Sequence, residues 1–156
     1  MRYASPRTVS VSSTHGGILS GFFGPRVVTA DLSLPRKLGC AADSVLVNNA
    51  GIANGALFQM TPISELRRIF EINFFSQIVL SQGIAKIMIR NKSGSIINLS
   101  STAAFIPDPG TLAYGSSKSA FARASQSMAN ELGKSNVRVN VIAPSVTKTD
   151  MFQQMS

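Results

Sequence analysis

Apolar residues are sparse over the first 24 positions, which are rich in Ser, Gly and Pro, and only Val9 and Val11 alternate as a short strand would before Gly16, Gly17, Gly21 and Gly24. A glycine-rich turn after a strand is one way to cradle phosphate. The spacing is not GxGxxG, however, and residues 1–24 read as a poorly defined terminal segment. The pattern sharpens from Arg26: RVVTADL is a short apolar run ending at Asp31, and SVLVNNAG is a second ending at Asn48. Each reads as a buried strand, and a Gly-containing turn follows the second.

Beyond that turn the periodicity becomes helical. Thr61 is placed to cap a helix with Pro62 at its first position, and Ile63, Leu66, Ile69, Phe70, Phe74 and Ile78 recur at three- and four-residue spacing. One apolar face is therefore expected to run to about Arg90. NKSGSIINLSS then gives a basic loop, a Gly turn and an apolar strand over residues 96–99, opening onto Ser100 and Ser101. A Pro/Gly loop leads to a second helix over 112–132, where Ala120, Ala124 and Ala129 beside Phe121, Met128 and Leu132 suit close packing on a sheet. VRVNVIAP, residues 137–144, is the last strand. Strands separated by long helices, with nearly continuous apolar cores, predict an α/β fold. Residues 25–156 are expected to form a three-layer Rossmann-like parallel sheet with helices on both faces.

Composition supports a packed core: 44% of the 156 residues are hydrophobic and 14% charged, which excludes general disorder. A single Cys, Cys40, allows no internal disulfide and fits a reducing compartment. The balance of 15 Lys+Arg against 7 Asp+Glu gives a formal net charge of +8 and brings nucleic acid into consideration. The basic residues are scattered, as Arg67 with Arg68, Lys86, Arg90, Lys92, Lys134 and Arg138, without a basic run, zinc-finger or basic-zipper pattern. Nucleic-acid binding is not expected, and the charge either suits phosphate-bearing ligands or reflects lost acidic segments. The opening MRYASPRTVSVSSTHGG has no apolar signal core, and no uninterrupted apolar run reaches about 18 residues. A cytoplasmic protein without membrane association is expected.

Three features stand where predicted strands end: NNAG at 48–51, Ser100 with Ser101, and Tyr114 followed four positions on by Lys118. In an open parallel sheet, ligands bind in the crevice beyond the carboxyl ends of the strands. Tyr114 and Lys118 share one helix face by their spacing, and an ammonium beside a phenol favours phenolate. That pair makes a proton donor or acceptor usable near neutral pH. The blander reading, a Tyr and a Lys on a solvated face, loses ground because the Ser101 hydroxyl is available to hold a carbonyl or alcohol oxygen. No metal site is read.

On these residues the chain resembles the short-chain dehydrogenase/reductase family, its 3-oxoacyl carrier-protein reductase branch in particular. The matching residues are ADL ending at Asp31 and Leu32, NNAG, Asn73 in FEINFF, Ser101 in INLSS, YGSSK from Tyr114 to Lys118, and VNVIAPSVTKTDM from Val139 to Met151. The match covers about residues 26–152, and Ser101 stands 13 positions before Tyr114. The resemblance implies an oxidoreductase that uses NAD or NADP on small carbonyl or alcohol substrates, acyl-carrier-linked ones included. Tyr114 is then the general acid in reduction and the base in reverse, and Ser101 positions the reacting oxygen. Lys118 favours the phenolate and holds the nicotinamide ribose. Asn73 holds a water through its backbone and completes a proton relay to Lys118, the alternative being a helix-kink residue. The same resemblance sets Asp31 and Leu32 at the adenine. It places Asn49, Ala50 and Gly51 along the cofactor, and Thr147 and Thr149 toward its carboxamide or pyrophosphate. Relatives often dimerise through the two long helices, so a homo-oligomer is expected.

The departures also carry expectations. In place of the family's TGxxxGIG the chain has SSTHGG and ILSGFFG, and no second strand carries a residue that selects NAD or NADP. Only 13 residues separate Asp31 from Val45, too few for the usual crossover helix, and Ser145 stands where the family has the Gly of its PG motif. The chain ends at Ser156, before the family's substrate lid. An incomplete fold is expected, truncated or compressed at its amino end, with the middle of the sheet empty. Two readings follow: a partial enzyme with its proton-transfer residues intact, and an inactive family member serving as a structural or interaction protein.

Overall fold

The structure, a computed structural model, describes residues 8–11, 27–29 and 44–145. Five strands, β1 (Thr8–Val11), β2 (Val27–Thr29), β3 (Val45–Asn48), β4 (Gly94–Leu99) and β5 (Val137–Ile142), form one sheet in the order β2-β1-β3-β4-β5. Every pairing is parallel. This is the expected incomplete, Rossmann-like α/β arrangement, with a correction at its centre. β1 comes from the segment whose pattern favours coil, and it pairs with both β2 and β3, so the middle of the sheet is filled. Four residues set among Ser and Gly give little local signal, whereas pairing on both sides satisfies their backbone groups. The chain leaves β1 toward one edge and returns past it to β3. Such a reversal creates the crevice in which parallel sheets hold ligands.

The predicted helix over 61–90 is three pieces: α1 (Ile63–Phe70), a π-helical turn (Glu71–Phe75) and α2 (Ser76–Asn91). It starts later than its pattern indicates. Pro62 is the extended N-cap, and its carbonyl accepts from the Glu65 and Leu66 N–H groups at 3.1 Å. The Thr61 hydroxyl does not cap; it turns back to the carbonyls of Ala56 and Leu57 at 3.1 and 3.0 Å. Lys92, left-handed at φ 50°, ends α2. The π turn adds a residue per turn and so moves the buried stripe. Ile63 is exposed, and the buried positions run through Ile69, Asn73, Gln77, Leu80, Ser81, Ile84 and Met88.

Leu46, Ile96 and Val139 lie side by side across the sheet and therefore share a face. Leu46, Ile96 and Val137 pack there against Leu80, Ile84, Ala85 and Met88 of α2, with Met128 and Leu132 of α3 (Leu112–Leu132) closing the cluster. Phe74 joins the helices edge-on, 6.3 Å from Phe70 and 6.5 Å from the buried Phe121 of α3. The opposite face carries Val47, Ile97, Leu99 and Ile142, and the helical layer expected on it lies outside the described residues. By length and composition, the helical stretch Ile63–Asn91 is long and apolar enough to cross a bilayer. It buries Asn73, Gln77 and Ser81 against the rest of the chain, as a core helix does.

Gly94 opens β4 beneath the buried Met88, and a Cβ there would meet the Met88 Cγ and Sδ at 2.5 Å. Overpacking makes Gly94→Ala destabilising by about 1–3 kcal/mol. Met88→Ala is expected to cost about 2–5 kcal/mol through the cavity it leaves. In urea unfolding the double variant should lose less than the sum. Strictly additive losses would show that the two groups do not compete for one space.

Candidate active site

Asn49, Ala50 and Gly51 carry the chain away from the carboxyl end of β3, where none of the described strands pairs their backbone. Partners come from the helix instead. Asn73, fully buried in the π turn, accepts from the Ile52 N–H through Oδ1 and donates to the Ile52 carbonyl through Nδ2, both at 2.8 Å. Its Nδ2 also donates to Ser117 Oγ at 3.1 Å. One turn on, Gln77 Nε2 donates to the Ala50 carbonyl at 2.6 Å and to the Asn73 carbonyl at 3.1 Å. The loop is thereby fastened along its length. Asn73 thus lies at a helix irregularity and is buried against the loop that leaves β3.

Against this loop stands Lys118, only 4% exposed. A Cβ on Gly51 would come within 3.3 Å of Lys118 Nζ and 3.5 Å of Asn73 Oδ1, so the absence of a side chain lets the loop lie on the amine. Lys118 Nζ donates to the Leu99 carbonyl at 2.8 Å, at the end of β4, and lies 6.0 Å from the centre of the Tyr114 ring. Ser100, next in the chain, donates from its hydroxyl to the Lys118 carbonyl at 3.0 Å. Ser101 Oγ accepts from the Ala103 N–H at 3.2 Å and so caps the short turn Thr102–Ala104. That turn touches α3 at Gly115, where a Cβ would sit 2.7 Å from the Ala103 carbonyl oxygen. Gly115 follows Tyr114 directly, so this close approach draws Ser101 and Tyr114 to one end of the sheet.

Beneath the site, Asn48 Nδ2 donates to Ser81 Oγ at 2.8 Å and to Asn98 Oδ1 at 2.7 Å, and Asn98 Nδ2 donates to Ser125 Oγ at 2.7 Å. These buried bonds tie β3 to α2 and β4 to α3.

The structure therefore gathers Gly51, Asn73, Ser101, Tyr114 and Lys118, with Asn49 and Ala50 on the adjoining loop. Asp31, Leu32, Thr147 and Thr149 lie outside the described residues. Sequence reasoning misses Gln77, Ser117 and Gly115. Gln77 carries a signal in retrospect, standing four positions after Asn73 on a stripe that is otherwise apolar. Among the described residues, no group of three His, Cys, Asp or Glu stands together to hold a metal ion.

Burial pulls the Lys118 amine down from 10.5 to about 8. Between those values the unfolded chain keeps its proton and the folded chain has released it, so stability rises with pH across that window. Below pH 8 the amine is charged in both states and its contribution is flat. Relative to Lys118→Met, the wild-type chain should gain about 3 kcal/mol between pH 8 and 10.5 in urea unfolding. A difference independent of pH would mean that the folded amine is well solvated.

The sequence pattern of the short chain dehydrogenases matches residues 43–156. A 3alpha-hydroxysteroid dehydrogenase of Mediterraneibacter gnavus is 38% identical over 124 residues, which are 80% of this chain and 49% of that protein. Carbonyl reductase (NADPH) 2 of Sus scrofa is 36% identical over 165 aligned residues, covering 100% of this chain and 68% of that one. Among solved structures, a short chain dehydrogenase/reductase family protein is similar with a TM-score of 0.73 and 34% identity, over 83% of this chain and 57% of its own. The chain spans about half the length of most of the curated relatives it matches. With Ser101, Tyr114 and Lys118 in their expected order at the carboxyl end of a parallel sheet, the chain belongs to the short-chain dehydrogenase family.

Proposed function

We propose that the chain carries the proton-transfer centre of a reversible carbonyl reduction that uses NAD or NADP. The observation that supports this best is Lys118, a buried amine held between the Leu99 carbonyl, Gly51 and the Tyr114 ring. An ammonium has three N–H donors, and the Leu99 carbonyl takes one. The others are available to the Tyr114 oxygen and to ribose hydroxyls of a bound dinucleotide, for which bare backbone at Gly51 leaves room. The nicotinamide supplies the hydride when bound. Tyr114 gives a proton to the substrate oxygen in reduction and takes it back in oxidation, while Ser101 holds that oxygen. Asn73 fixes the loop beside the cofactor, and its carbonyl, which accepts from Gln77 Nε2, would hold a relay water. Asp31, Leu32, Thr147 and Thr149 complete the cofactor contacts in this reading.

The substrate is a small carbonyl or alcohol, with an acyl chain on a carrier as one form of it. A cytoplasmic site of action accords with the lone cysteine. Phe75 and Val79, exposed one turn apart on the helix, support a homo-oligomer formed through the long helices. Phe75→Asp combined with Val79→Asp should convert a dimer to monomer in light scattering. A wild-type chain that is monomeric at micromolar concentration would count against that assembly.

Titration with NADH and NADPH, followed by nicotinamide fluorescence, tests the enzyme reading. Binding is expected, and Tyr114→Phe should keep it while lowering turnover by roughly 10²- to 10⁴-fold, the usual worth of a positioned acid or base. If neither nucleotide binds, the enzyme reading fails. A chain spanning about half of its relatives then stands as a structural or interaction protein.

A further inference from the structure

The segment between Ser101 and Tyr114 leaves large apolar side chains outside the core. Phe105 is 65% and Ile106 58% exposed, and Leu112 is exposed as well. Their placement is firm. The Phe105 and Ile106 N–H groups both donate to the Thr102 carbonyl at 2.9 Å, which ends the turn capped by Ser101. Pro107 and Pro109 fix their own φ angles, and Thr111 closes the loop on the Asp108 carbonyl with its N–H at 3.2 Å and its hydroxyl at 2.7 Å. The loop that follows Gly51 runs alongside, because the Ala56 N–H donates to the Gly110 carbonyl at 3.2 Å. That bond brings exposed Leu57 and Phe58, the latter 76% exposed, to the same end of the molecule. Across residues 52–62 and 102–113 the single charged residue is Asp108.

We infer that the substrate is an apolar carbonyl compound, its reacting oxygen at Ser101 and Tyr114 and its hydrocarbon body against Leu57, Phe58, Phe105, Ile106 and Leu112. The inference rests on the function proposed above and names its substrate class. Phe75 and Val79 project from a helix, but these five residues belong to the segment joining Ser101 to Tyr114 and to the loop that bonds to that segment at Gly110. Their position selects a molecule that also reaches Ser101 and Tyr114, which a ketone or aldehyde with an alkyl body does and a flat protein partner does not. The two loops are hydrogen-bonded within themselves and to each other, which lowers the ordering that binding has to oppose.

Isothermal titration of the full chain with 2-decanone and with 1,3-dihydroxyacetone, with and without NADPH, tests this. The alkyl ketone should bind more tightly than the polyol. Phe105→Ser combined with Ile106→Ser should weaken it at least roughly tenfold, as expected when a ligand forfeits two apolar contacts, and leave NADPH binding unchanged. Leu57→Ser, on the facing loop, should weaken it in the same direction. Equal or tighter binding of dihydroxyacetone overturns the inference, as does 2-decanone binding indifferent to both variants, or a dimer that the Phe105/Ile106 variant dissociates. Rim-dependent ketone binding without any nucleotide binding upholds the apolar site while the cofactor reading fails. Nucleotide binding with rim-independent ketone binding does the reverse.

Discussion

Ile52 is the residue at which the loop leaving β3 needs both of its peptide groups paired away from any strand. A part-buried amide left without partners costs about as much as a lost hydrogen bond, so the loop cannot lie against the site unless something replaces the missing strand. The Asn73 carboxamide does so, accepting from one Ile52 group and donating to the other. It reaches the loop because the π turn changes the angle at which the helix presents this residue. With Ile52 held, Gly51 is held against Lys118, and Lys118 in turn is held to the end of β4. Asn73 thus joins the loop to its own helix and to α3, and Lys118 joins α3 to the last peptide of β4.

The same economy of partners governs the core below. Leu46, Ile96 and Val137 make an ordinary apolar layer, but one step along the strands Asn48 and Asn98 face each other and bond outward to Ser81 and Ser125. Each such bond contributes only about 0.5–1.5 kcal/mol net, whereas leaving one partner unpaired costs about 1–3 kcal/mol. The network therefore stabilises less than it discriminates: a one-residue slip of β3 on β4 would turn Asn48 away from Ser81 and strand it. Asn48 Oδ1 and Gln77 Oε1 have no hydrogen-bond partner among the described residues, so the described polar core runs short of donors. Unpaired acceptors are the less costly of the two shortages.

What the sequence reveals and conceals follows from how local each cause is. β3, β4, β5 and both long helices are legible because runs such as VLVN and SIINL, and the repeats of apolar residues after Pro62, are local patterns. Tyr114 and Lys118 are legible because a spacing of four fixes their common face. β1 is not, since Thr8–Val11 owes its place to pairing with strands far along the chain. The π turn is not, since EINFF has the composition of any helix and the inserted residue shows only as a shifted stripe. Gly115 looks like a helix-weakening residue until the Ala103 carbonyl is seen beside it, and Gly94 like a turn residue until Met88 is. The adenine- and carboxamide-side contacts rest on family resemblance alone.

The chemistry and the stability of this fold pull in opposite directions at Lys118. Desolvation opposes the charge, and the Leu99 carbonyl offsets only part of that cost, so the amine loses its proton at about 8 and remains largely protonated at neutral pH. A protonated amine buried this far, with the Leu99 carbonyl as its one hydrogen-bond partner among the described residues, is destabilised. An oxygen acceptor brought up to the amine would offset part of that cost. Charge and burial are thus opposed at Lys118 within the fold itself, which sets it apart from the apolar side chains buried around it. On this argument the Asn73 clasp on Ile52 matters because it keeps Gly51 pressed on the amine and water away from it. Loosening that loop would admit water to the amine and ease the cost of its charge.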